Sequence, residues 1–83
     1  NTGSATLNVA NVPSVTIGAF TDSYYNEGVS WTGLTEDEDS SGGILIRCAA
    51  ASAIEASVNA SKSNSAACSS TGGDWSFLVA NFY

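Results

Sequence analysis

Apolar and polar residues alternate one for one over several stretches of this chain. Ala5, Leu7 and Val9 fall on one side of an extended segment, with Thr6 and Asn8 on the other. That period of two is the mark of a half-buried β-strand. Pro13 interrupts the pattern, as a central strand would not tolerate. The alternation resumes with Val15, Ile17 and Ala19 against Ser14, Thr16 and Gly18, reaching Phe20; the apolar set is the expected buried face. Residues 21–28 read as a turn-rich connection and 29–32 as a third short strand. The acidic run 36–39, with the small residues 40–43 after it, reads as an exposed loop. Residues 44–46 (Ile-Leu-Ile) predict a buried strand running into Cys48. At the far end Trp75, Phe77 and Val79 alternate with Ser76 and Ala80, and the chain reaches Phe82 and Tyr83.

Residues 49–67 carry two conflicting signals. Ser52 and Glu55 have the spacing of a capping box, and Lys62 suits a helix C-terminus, which together predict a short helix around 52–62. Ile54, Ala56, Val58 and Ala60, however, alternate with Glu55, Ser57, Asn59 and Ser61 as in an amphipathic strand. The expected fold is therefore mainly β: a small disulfide-stapled antiparallel sheet or sandwich, with α+β as the alternative if the helix forms. At 83 residues the chain has room for one domain spanning 1–83.

Composition narrows the function. Charged residues make up 12% of the chain, about half the usual share of roughly 25%. Fourteen Ser, seven Thr and seven Asn must supply its polarity instead. Arg47 and Lys62 are the only basic residues against a net charge of −6, which argues against nucleic acid and anionic membrane surfaces as partners. The apolar runs fall far short of the ~20 residues a spanning helix needs, so no membrane span is expected. The sequence has no methionine and begins at Asn1, as a mature or excised chain would. Cys48 and Cys68 are an even count in a small acidic chain rich in Ser, Thr and Asn, which predicts one disulfide and a secreted or cell-surface location. Closing residues 49–67 into a loop would stabilise the fold by roughly 3 kcal/mol. Asn59-Ala60-Ser61 is a glycosylation sequon.

Few residues carry recognisable chemistry. Asp37, Asp39 and Ser41 place oxygens at alternate positions before Gly42, the start of a loop that would take calcium. The run resembles the loop of helix-loop-helix calcium sites only this far, because the bidentate glutamate position falls on Cys48; Glu36 or Glu38 would have to add a ligand. Tyr24 and Tyr25, in a turn-rich segment, are candidate carbohydrate contacts, whereas Trp31 and Trp75 are expected to anchor the core. There is no histidine, and Lys62, set among Ser and Asn, reads as solvent-exposed. No catalytic residue is expected.

The terminal segments point elsewhere. The strands carrying Leu7, Val9, Phe77, Val79, Phe82 and Tyr83 have almost no charge with which to guard a sheet edge, and an unguarded edge accepts a neighbouring chain. In its Ala, Ser, Thr, Gly and Asn content and its single cysteine pair, the chain resembles the globular portions of pilus and fimbrial subunits. It lacks the long hydrophobic helix with which a type IV pilin begins, so the likeness implies β-strand contacts or a helix supplied by another polypeptide. The expected function is a non-catalytic structural subunit of an extracellular assembly, self-associating or joined to a partner subunit. The alternatives are a small secreted binding module using calcium and aromatic carbohydrate contacts, and a small secreted inhibitor or toxin.

Overall fold

A computed structural model of the chain describes residues 1–23, 28–41, 47–69 and 72–83, apart from the side chain of Ser41. The described residues form strands and no helix: β1 (Thr2–Val9), β2 (Ser14–Asp22), β3 (Val29–Thr32), β4 (Thr35–Ser41), β5 (Arg47–Glu55), β6 (Asn59–Cys68) and β7 (Trp75–Phe82). All pairings are antiparallel. They make a three-stranded sheet ordered β1-β6-β3 and a four-stranded sheet ordered β4-β5-β2-β7. The sheets form an elongated sandwich of 40 × 19 × 14 Å. Along one side β1 lies against β7, and along the other β3 lies against β4.

The helix alternative at 52–62 does not form. β5 runs to Glu55, residues 56–58 turn, and β6 starts at Asn59. The alternation seen across 54–61 therefore belongs to two strands, one in each sheet. The acidic run is not a loop either, because Thr35–Ser41 pairs along β5 as an edge strand with a bulge between Glu36 and Glu38. An edge position leaves Glu36, Asp37 and Glu38 exposed, and Asp39 pairs with Arg47, which is why so charged a segment can be a strand. The strand expected at 44–46 lies outside the described residues.

The interior is a thin apolar band of Phe20, Val29, Ala49 and Ala66, with Trp31, Cys68 and Phe77 packed against it. The Phe20 and Trp75 rings stack with centroids 6.1 Å apart, and Trp31 tilts against Phe77 at 6.4 Å. These large rings need small residues opposite. A Cβ on Gly18 would sit 2.6 Å from Leu34 Cδ1 and 3.0 Å from the Trp31 ring, and one on Gly3 would run into Phe77. Gly33, at φ 83°, turns the chain from β3 into β4 where a side chain would strike the Ser63 carbonyl.

This ring-into-glycine packing decides the orientation of β2. Ser14, Thr16, Gly18, Phe20 and Asp22 face inward, and Val15, Ile17, Ala19 and Thr21 face outward. The expectation that the apolar set is buried is reversed. Small and hydroxyl side chains leave the space that Trp31 and Leu34 fill from across the sandwich, and Phe20, in register with the small set, supplies the buried ring.

The predicted staple is absent: among the described residues no disulfide forms. Cys48 is exposed on the outer face of the four-stranded sheet, opposite Thr21. Cys68 belongs to the other sheet and points inward, its thiol donating to Asp22 Oδ2 at 2.9 Å. Side chains that point apart in this way cannot be bridged without moving backbone.

Candidate interaction surface

The register of β5, β2 and β7 arranges their outward residues in rows. Ile54, Val15 and Phe82 form one row, then Ser52, Ile17 and Ala80, then Ala50, Ala19 and Leu78, and last Cys48, Thr21 and Ser76. Val15 is 38% exposed, Ile17 47%, Ile54 80%, Leu78 70% and Phe82 57%. In the last row the Thr21 and Ser76 hydroxyls are 2.7 Å apart. Among the described residues no charged side chain stands in these twelve positions; acidic residues enter only at the β4 edge, where Glu38 lies opposite Ala50. Four rows across three strands cover roughly 25 by 15 Å, about 375 Å² of sheet. Val58 and Tyr83, both exposed, follow the ends of β5 and β7 and extend the apolar character beyond the first row.

The edges of this sheet are chemically unlike. β4 carries the acidic run Glu36 to Asp39, whereas β7 reads WSFLVANF, without charge. β7 therefore offers an unguarded row of backbone groups next to the apolar face.

The residues assigned to assembly divide. Leu7 and Val9 face the interior from β1, Val9 fully buried, and Phe77 and Val79 are half-buried inside β7; Phe82 and Tyr83 are exposed. The outward residues Val15, Ile17, Ile54 and Leu78 were missed, because alternation marks an apolar face without saying which way it points. Asn59 is exposed at the start of β6, and its side chain accepts from the Ser61 amide at 3.0 Å. Tyr24 and Tyr25 lie outside the described residues.

The calcium residues do not converge. Asp39 is bound by Arg47 at 2.9 Å and accepts from the Val29 amide at 2.8 Å. Asp37 is exposed at the bulge of β4, and of Ser41 only the backbone is described. Among the described residues no three or more His, Cys, Asp or Glu side chains gather as a metal would require.

Each end of the interior is polar. At one end buried Asp22 accepts from Asn1 Nδ2 at 3.0 Å and from the Cys68 thiol. At the other, Lys62 of β6 forms an ion pair with Glu55 of β5, each side chain only 12% exposed. Lys62 is thus not the solvated residue its neighbours suggested. Thr16 donates to Glu55 Oε2 at 2.5 Å, and Asn81 Nδ2 donates to Ser14 Oγ at 3.0 Å and Thr16 Oγ1 at 3.1 Å. Desolvation pulls the Glu55 carboxyl upward, but the hydrogen bonds from Lys62 and Thr16 and the Lys62 charge outweigh it, so its pKa is lowered.

Fold and surface together define a small two-sheet antiparallel β-sandwich with an uncharged outer face and one uncharged edge. Comparison with protein-family models, with curated proteins and with solved structures finds no match. No helix among the described residues is long and apolar enough to cross a membrane.

Proposed function

We propose that this chain is a structural subunit of an extracellular assembly, a pilus-, fimbria- or filament-like surface appendage, and that it works without catalysis on any external substrate. The observation that carries the proposal is the outward row set of Val15, Ile17, Ile54, Leu78 and Phe82, left 38–80% exposed beside an uncharged edge strand. The occupant we assign to this surface is another copy of the chain. Copies bearing a net charge of −6 repel one another over most orientations, and this face lets them meet without opposing carboxylates. Its ~375 Å² is less than half of the ~800 Å² per partner that a stable pair buries. A lone pair held by this face would be weak. Adding β7 to a neighbour's sheet supplies backbone hydrogen bonds, and repeating both contacts gives an array its strength. Secretion is supported by the low-charge, Ser-, Thr- and Asn-rich composition rather than by a cysteine bridge.

The test is electron microscopy of the protein as its source produces it, with light scattering of the purified chain. Filaments or regular arrays are the expected result. A stable 8.4 kDa monomer in both samples would refute the proposal.

A further inference from the structure

The polar end built by Lys62, Glu55, Thr16 and Asn81 holds an amine, a carboxylate and a carboxamide within one hydrogen-bonded chain. Lys62 is the only lysine of the sequence. Its ammonium touches Glu55 Oε2; the same oxygen accepts from the Thr16 hydroxyl, and that hydroxyl in turn accepts from Asn81 Nδ2. Four strands, β2, β5, β6 and β7, set this geometry. Lys62 stands opposite Leu7 in the three-stranded sheet, whereas Thr16 pairs with Asn81, and Glu55 with Ser14, in the four-stranded one. The amine and the carboxamide therefore come from opposite sheets. Ser14 takes the second hydrogen of Asn81 Nδ2 at 3.0 Å and holds the amide plane in place. Thr16 is fully buried and Ser14 nearly so.

We infer that this cluster is a self-modification site, in which Lys62 and Asn81 join through an amide bond that Glu55 catalyses. The reaction starts from the neutral form of the pair, reached when the ammonium passes one proton to Glu55 across their direct contact. The Lys62 lone pair then attacks Asn81 Cγ, forming the Nζ–Cγ bond. Glu55 relays a second Nζ proton through Thr16 to Nδ2, and the Cγ–Nδ2 bond breaks. The nitrogen leaves as ammonium, carrying the two protons that Lys62 has lost, and Glu55 returns to the carboxylate. Nothing is oxidised or reduced, and no co-reactant is needed. Glu55 touches the reacting amine and is the catalytic residue; Thr16 and Ser14 position the carboxamide. Glu55 and Thr16 link the amine to the carboxamide in one hydrogen-bonded chain, and closing the remaining gap between Nζ and Cγ inside the folded interior would replace the activation that an amide ordinarily requires. The product ties β6 to β7 across the sandwich, giving this small fold a covalent staple that its cysteines do not provide.

The test is the intact mass of the reduced full chain, followed by tandem mass spectrometry of its proteolytic fragments. The expected mass lies one ammonia, about 17 Da, below that of the sequence, with a branched fragment joining Lys62 to Asn81. Asn81→Ala and Lys62→Arg should keep the full sequence mass, and Glu55→Gln should form the link at least about 100-fold more slowly. An unchanged mass in the folded wild-type chain after days at neutral pH would overturn the inference, as would loss of ammonia mapped to a succinimide at any asparagine. The readout is independent of assembly, because a monomer and a filament subunit would show the same mass.

Discussion

Replacing Ile54 and Leu78 together by lysine tests the outer face at the two positions where it is most open among its five large side chains. In the isolated sandwich they are 80% and 70% exposed, so the change forfeits little burial on folding and should cost within about 0.5 kcal/mol at each position. In an assembly the same side chains have most of their area still to bury. Full burial of an aliphatic side chain contributes about 1.5–3 kcal/mol. Scaled by the exposed fractions, the pair contributes roughly 2.3–4.5 kcal/mol to each contact, equivalent to a weakening of about 50- to 2,000-fold. Desolvating two ammonium groups would add to this. Sedimentation velocity or light scattering across a concentration series measures the effect, with urea denaturation of the same samples as the folding control. The expected result is a variant with near-wild-type stability whose association midpoint moves up by at least tenfold. A folded variant assembling at the wild-type concentration would refute the assignment of this face and leave the β7 edge as the contact.

Three further outcomes follow from the interior. Phe20→Ala removes a fully buried ring stacked on Trp75 and should cost about 3–5 kcal/mol; since a chain this size commands roughly 4–12 kcal/mol in all, at least about a quarter of its stability would go, and a urea midpoint close to wild type would refute the packing. A reducing agent should leave that midpoint unchanged, because Cys48 and Cys68 are not joined; a fall equivalent to about 2–4 kcal/mol would reveal a disulfide. Asn81→Ala keeps the Lys62–Glu55 ion pair but cannot form the amide. The folded pKa of Glu55 lies below its ordinary 4.5, so the pair's contribution is present above that value and is lost as pH falls through the lowered one. Adding Glu55→Gln to Asn81→Ala should flatten this part of the acid-denaturation profile, and identical profiles for the two variants would contradict the ion pair.

A period of two identified β1, β2, β3 and β7 from the sequence, because one buried face per strand imposes that alternation whatever the neighbouring strands are. It could not say which face is buried. In β2 the answer came from across the sandwich, where Trp31 and Leu34 occupy the space above Gly18, and so Val15 and Ile17 face outward. The β4 edge was hidden for a related reason: its acidic residues satisfy no strand pattern, and pairing with β5 alone holds them extended.

Composition determined the chemical inventory: one lysine, no histidine, two cysteines and a deficit of charge. Position within the fold determined what that inventory can do. Cys48 and Cys68, 20 residues apart in the sequence, invited a bridge, but outward and inward orientations on different sheets separate them. Lys62, Glu55, Thr16 and Asn81 are scattered over the chain and mark no motif. Strand register gathers them because it brings residues into contact by their height along a sheet and the face they occupy, neither of which sequence separation records.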